Sequence, residues 1–148
     1  MRQTTVERTS FFPAPAGAVW ALLGRIDTLQ YIARPYAAFA PVDGRADWQA
    51  GHTYRLTLRL FGVAPLGIHQ VQVLRWDKAS FSILTNEGNA FVPLWNHEIR
   101  LVPCAGGCYY TDRVTLGAGW KTPFVGLWAR CFYRHRQKKW LRLLQSRA

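Results

Sequence analysis

The chain has 148 residues, 49% of them apolar and 18% charged, and a formal net charge of +11. That length and apolar content predict one domain spanning residues 1–148 with a real core, and exclude a disordered or fibrous chain. No apolar run reaches the roughly 20 residues needed to span a bilayer, and Met1 to Phe12 alternates polar and apolar residues where a secretory leader would carry an apolar block, so a cytoplasmic protein is expected.

The first element is a strand over Thr5 to Phe12. Pro13-Ala14-Pro15-Ala16 then opens a helix through Leu23, because proline is tolerated in a first helical turn, and Gly24 stops it. Asp27 is placed to cap a second short helix. That helix must end before Pro35, since a residue preceding proline avoids helical geometry.

Strand signals follow. Ala37 to Val42 is short. Over Thr53 to Phe61, Tyr54, Leu56, Leu58 and Leu60 share one face, while Arg55, Thr57 and Arg59 share the other. Ile68 to Arg75, Ser80 to Thr85, Leu94 to Val102 and Cys108 to Leu116 continue the series, joined by segments rich in Gly, Pro, Asn and Asp. Thr122 as N-cap and Pro123 as first helical residue start a last helix that can run to about residue 145, roughly 33 Å.

Strand, two helices, further strands and a long helix make an α+β order. The chain resembles the START-like (SRPBCC, polyketide cyclase/dehydrase and lipid-transport) superfamily. The residues that carry the resemblance are Phe12-Pro13-Ala14-Pro15-Ala16-Gly17-Ala18-Val19-Trp20-Ala21-Leu22-Leu23, Trp48 with Gly51 and Tyr54, Asp112-Arg113-Val114, and the closing helix. The resemblance implies a helix-grip fold, a curved antiparallel seven-stranded sheet wrapped on the C-terminal helix with two short helices after strand one. Members carry lipids, bind hormones or cyclise polyketides, and no catalytic motif is shared, so no catalytic residue transfers.

Pro103 to Gly107 reads as a hairpin loop. Setting Leu101 opposite Cys108 places Ile99 opposite Tyr110, His97 opposite Asp112 and Trp95 opposite Val114, all on the concave face. His69 shares a face with Val71 and Val73 and is expected to join the His97–Asp112 pair. A carboxylate there needs a partner or must protonate. The pair is a polar anchor for a ligand, a self-satisfied structural pair, or the acid/base pair of a cyclase, dehydratase or hydrolase. Cys104 and Cys108 flank the Gly-Gly turn, but with Cys131 they match neither a disulfide framework nor a zinc pattern, and neither metal nor cofactor is expected.

On the last helix, Gly126, Ala129, Tyr133, Trp140 and Leu144 form a continuous stripe that should face the sheet, its small first members leaving volume. A second stripe, Trp120, Phe124, Leu127, Trp128 and Cys131, covers only the first half. A cavity between helix and sheet should take a hydrophobic small molecule, lipid or polyketide-like. Tyr54, Leu56, Leu58, Val71, Ile99, Tyr110, Ala129 and Tyr133 would line it, and His69, His97 and Asp112 would orient the ligand.

Alternate hairpin loops gather at opposite ends. One end collects Phe61 to Leu66, Phe91 to Leu94 and Gly117 to Trp120, and is apolar. The other collects Asp43 to Asp47, Trp76 to Lys78 and Pro103 to Gly107, and is polar. Phe61, Phe91, Trp120 and Phe124 therefore mark a portal, or a plug. Arg130, Arg134, Arg136, Lys138, Lys139, Arg142 and Arg147 form either a solvated face or a surface for anionic membrane. Nucleic acid is disfavoured, because aromatics interleaved on a helix make no flat stacking platform.

Overall fold

The computed structural model describes residues 2–44 and 48–147, so Arg45, Ala46 and Asp47 of the expected polar loop lie outside the described residues. The elements in order are β1 (Thr4–Phe12), α1 (Ala16–Leu23), α2 (Ile26–Ala33), β2 (Ala37–Pro41), β3 (Thr53–Leu60), β4 (Ala64–Asp77), β5 (Ser82–Gly88), β6 (Leu94–Cys104), β7 (Gly107–Gly117), a 3-10 turn (Gly119–Lys121) and α3 (Thr122–Ser146). The strands form one seven-stranded antiparallel sheet in the order β1-β7-β6-β5-β4-β3-β2. It curls against α3, and the fold is the helix grip.

Period-2 alternation builds the sheet. Along β7, Cys108, Tyr110, Asp112, Val114 and Leu116 are buried while Tyr109 and Arg113 are exposed. On the outer face Thr5 bonds Thr115 (3.2 Å) and Thr9 bonds Thr111 (2.8 Å) through their hydroxyls.

The β6–β7 register differs from the expected one by two residues. Ile99 opposes Asp112, His97 opposes Val114 and Trp95 opposes Leu116. The reason is the turn. Pro103 pairs with Cys108 and Cys104 with Gly107, which leaves a two-residue turn, Ala105-Gly106, in place of a five-residue loop. Gly106 supplies the positive φ of 81° that such a turn requires. A shift of two preserves the faces, so His97 and Asp112 both remain concave.

β4 begins at Ala64, four residues before the expected start at Ile68, because a tight turn with Phe61 and Gly62 at positive φ returns the chain directly. Pro65 is tolerated there because β5 pairs with β4 only from Gln70 onward. Two helix caps also differ. Asp27 sits inside the first turn of α2, accepting the Thr28 N–H (2.9 Å) and pairing with Arg25 (2.8 Å). Thr122 is the first residue of α3. Its hydroxyl accepts the Ala118 N–H (3.0 Å) and donates to the Gly119 carbonyl (2.7 Å), so it ties down the preceding turn.

The expected stripe of α3 faces the sheet, with Gly126, Ala129, Tyr133, Trp140 and Leu144 all buried. The small residues do not leave volume. A Cβ on Gly126 would stand 3.0 Å from the Thr4 side chain, so their role is to let α3 lie close on β1. The second stripe divides: Trp120, Phe124 and Leu127 are exposed, while Trp128 and Cys131 are half-buried. The C-terminal half packs through Trp140, 5.7 Å from the rings of both Phe12 and Tyr110, which stack on each other at 4.8 Å. Trp140→Ala is therefore expected to lower stability by about 3–5 kcal/mol in urea unfolding. Phe124→Ala should stay within about 0.5 kcal/mol of wild type. Comparable losses for both would mean the two stripes had been exchanged.

Candidate functional site

Because α3 lies on β1, the rest of the sheet curves away from it. Between its other flank and strands β2 to β6 lies a cavity of about 680 Å³. Side chains from the sheet (Leu56, Leu58, Val71, Trp95, Ile99) form one wall, and Trp128, Phe132 and Tyr133 of α3 form the other. Trp128 and Phe132 stack at 4.7 Å, which makes the helix side an aromatic surface.

Of the residues expected to line this space, Leu56, Leu58, His69, Val71, His97, Ile99 and Tyr133 do. Tyr54, Tyr110, Asp112 and Ala129 do not. Tyr54 packs on Trp48 with ring centroids 4.7 Å apart, and its hydroxyl accepts the Gln49 N–H. Tyr110 is spent in the core stack with Phe12. Asp112 is fully enclosed, and Ala129 is in the tight contact under β1 and β7.

Phe91, Trp120 and Phe124 lie at the cavity's edge and are 49%, 77% and 69% exposed. Phe61, 55% exposed, does not line it and instead packs against Tyr36 at 5.6 Å.

A string of polar side chains crosses the concave face, each reaching its diagonal neighbour on the next strand. His69 on β4 opposes nothing on β5 directly, but its Nε2 lies 2.8 Å from Glu87 Oε1. Asn89 fixes the ring. Its Oδ1 accepts the N–H groups of Phe91 and Val92 (2.9 Å each), which leaves its amide NH2 to donate to His69 Nδ1 (3.0 Å). The His69 Nε2–H therefore donates to Glu87. Thr85 donates to Glu87 Oε2 (2.5 Å), and His97 Nδ1 stands 3.8 Å from that same oxygen.

His97 Nε2 then meets Asp112 Oδ1 at 2.8 Å, so the expected pair is formed, diagonally. Asp112 also accepts from Tyr110 (3.2 Å) and from Gln137 Nε2 (3.1 Å). Gln137 ties the string to β1, donating to the Arg8 carbonyl (2.8 Å) and accepting from Ser10 (2.6 Å). Arg136, 9% exposed, stands with Nη2 3.8 Å from Asp112 Oδ1.

Burial by itself pushes the Asp112 carboxyl up, but the Arg136 guanidinium and the bonds from His97 and Gln137 outweigh it, so the group is held below its ordinary value. Glu87 behaves alike. Burial raises it, and His69, His97 and Thr85 bring it below. Burial works against the Arg136 charge, yet Asp112, Tyr110 and Tyr133 hold its pKa above the ordinary guanidinium value. Burial, then the adjacent Asp112 charge, raises the Tyr110 phenol.

Sequence reasoning missed Glu87 and Arg136. Glu87 continues the inward alternation Ile83, Thr85, Glu87, which ending the strand at Thr85 cut off. Arg136 was assigned to the basic surface, but it belongs to the sheet-facing stripe. The buried series 126, 129, 133, 136, 140, 144 advances by three or four throughout, and Arg136 fills the gap between Tyr133 and Trp140. Lys139 is also partly withdrawn, its Nζ 4.0 Å over the Tyr31 ring, whereas Arg130, Arg134, Lys138 and Arg142 are exposed. Among the described residues no three His, Cys, Asp or Glu converge as metal ligands, and no helix is long and apolar enough to cross a membrane.

A seven-stranded sheet gripping a long helix around a partly open cavity is a START-like arrangement, and comparison with solved structures agrees. A START superfamily protein from Mycobacterium smegmatis superposes with a TM-score of 0.74 at 14% identity, over 97% of this chain and 99% of that one. Protein CV1439 from Chromobacterium violaceum gives 0.75 at 14%, over 95% and 96%. Ara h 8.0201 gives 0.72 at 16%, over 98% and 99%. At these identities the likeness is one of fold. No curated protein matches the sequence. The chain belongs to the family described as a domain of unknown function, DUF8410, whose model matches residues 10–144.

Both carboxyls of the string are held below their ordinary values of 3.8 for Asp112 and 4.5 for Glu87. Their contribution is complete above those values and is lost as pH falls through the lower folded ones. Asp112→Asn should cost about 3–5 kcal/mol at neutral pH, because it leaves Arg136 buried without its counter-charge. The gap from wild type should narrow below about pH 4, where Asp112 of the unfolded wild-type chain begins to take up protons while the folded one still resists them. Denaturant melts at several pH values measure this, and a gap independent of pH would show that Asp112 acts by packing alone.

Proposed function

We propose that this chain is a cytoplasmic, non-enzymatic binder and carrier of a hydrophobic small molecule, lipid or polyketide-like, held between α3 and the concave sheet. The observation that carries the reading is the cavity, about 680 Å³ and walled mainly by aliphatic and aromatic side chains. That volume is in the range of small-molecule sites. Leu56, Leu58, Val71 and Ile99 would contact one side of the ligand, and Tyr133 the other. His69 and His97 would supply polar contacts from the sheet.

Asp112 argues for a structural rather than a catalytic role of the His97–Asp112 pair. Its two oxygens already accept from His97, Tyr110 and Gln137, and it does not line the cavity. Native mass spectrometry of the purified protein, followed by solvent extraction, should reveal a defined co-purifying apolar compound. Nile red should also bind, and Val71→Trp, which fills the cavity, should weaken that binding at least tenfold. Unchanged dye affinity in a folded Val71→Trp protein would sink the reading.

The cavity mouth favours delivery from an anionic membrane. Exposed Phe91, Trp120 and Phe124 surround it, and the same outer face of α3 continues into Arg134, Lys138 and Arg142. Apolar side chains would enter the interface while these cations meet lipid phosphates. The protein should co-sediment with vesicles containing phosphatidylglycerol far more than with phosphatidylcholine alone. Trp120→Ala with Phe124→Ala should abolish most of that binding. Equal binding to both vesicle types would remove the electrostatic part of the argument.

A further inference from the structure

Arg136 carries more hydrogen-bonding capacity than the protein uses. A guanidinium has five N–H donors. Among the described residues its one hydrogen bond runs from Nη2 to the Tyr110 hydroxyl at 3.5 Å, the limit of a useful contact. Its Nε is buried with no hydrogen-bond partner among the described residues. Its neighbour Asp112 stands 3.8 Å away and is already bonded by His97, Tyr110 and Gln137.

What holds the group is its face. The Arg136 guanidinium carbon lies 5.4 Å from the Tyr133 ring centroid and 5.9 Å from that of Phe132. These contacts use the charge and not the N–H donors, and the residue lines the cavity. Buried donors without acceptors are destabilising, so an acceptor arriving with the ligand gains a charge-assisted bond.

The charge around the group says which acceptor. Glu87, bonded to His69, lines the same cavity, and Asp112 stands 3.8 Å from the guanidinium, so Arg136 already has its counter-charge. A ligand carboxylate would be a third anion in an apolar enclosure, whereas a carbonyl accepts the bond without adding charge.

We propose that Arg136 is the polar anchor of the cavity and selects ligands in which an apolar body bears an uncharged oxygen acceptor, a ketone or ester carbonyl. This rests on the carrier reading and names the chemistry of its ligand.

The test is Nile red displacement by three probes of nearly one shape, 2-acetylnaphthalene, 2-ethylnaphthalene and 2-naphthoate. Wild type should bind the ketone at least about tenfold more tightly than the hydrocarbon, and the carboxylate more weakly than the ketone. Arg136→Met should bring the ketone and hydrocarbon affinities together while the hydrocarbon affinity persists. Should Arg136→Met fail to fold, Arg136→Lys keeps a cation beside Asp112 without the planar fork, and should still lose most of the ketone preference. Equal affinity for ketone and hydrocarbon in wild type overturns the inference and leaves the carrier reading standing. So does tightest binding of 2-naphthoate. A ketone preference that survives both variants assigns the bond to another donor, such as Lys121, which also lines the cavity and donates to the Phe91 carbonyl, and overturns it too. Displacement by none of the three, with no binding of Nile red itself, overturns the carrier reading along with it.

Discussion

The polar string across the concave face, His69, Glu87, His97, Asp112 and Gln137, joined by hydrogen bonds and by the 3.8 Å Glu87–His97 contact, is the constraint on which the rest of the arrangement depends. Two carboxylates withdrawn from water are costly unless each is paired and bonded. Pairing them here requires strands β4 to β7 to lie in one register, because each contact is diagonal. A one-residue slip at any of these interfaces would send a string member to the outer face. The string also crosses from sheet to helix. Gln137 meets Asp112, the Arg8 carbonyl and Ser10 together, and these bonds fix the height at which α3 crosses β1 and β7.

Fixing the helix there decides where the empty space is. Gly126 and Ala129 let α3 lie against β1, so the tight seam is on that side. Beyond β1 and β7 the sheet continues through five more strands, and register shifts at Leu58/Arg59 and Val73/Arg75 mark bulges that add curvature to β3 and β4. One helix about 10 Å across cannot fill both the seam and the hollow of so curved a sheet. Tyr133 and Arg136 reach from the seam toward the hollow, so the same helical stripe both closes the core and furnishes the cavity wall.

Much of this was legible in the sequence, and the exceptions have physical causes. Alternation in β3, β6 and β7 identified the inward faces correctly, because period 2 survives any register error of two residues. The turn that sets the register was misjudged because Cys104 and Gly107 are not distinctive strand residues, yet they pair. Asp27 and Thr122 carry side chains suited to N-caps, but a preceding arginine in one case and a 3-10 turn in the other move the helix start. Arg136 was hidden by its type. A guanidinium in a basic run reads as surface, and only the spacing of three and four from Tyr133 and Trp140 places it inside.

That inward arginine also clarifies the helix as a whole. α3 has no acidic residue, and its sequence carries two apolar stripes over the first half. One stripe is the core. The other face changes character along its length, from exposed Phe124 and Leu127, past half-buried Cys131, to exposed Arg134, Lys138 and Arg142. Nothing in the sheet can demand that change, since none of those exposed side chains packs in the core. Polar residues would serve solubility at Phe124 and Leu127 as well as they do farther along. The apolar half coincides with the end where Phe91 and Trp120 border the cavity, and the basic half runs away from it. The change of character along α3 therefore runs with the edge of the cavity, where Phe91, Trp120 and Phe124 lie.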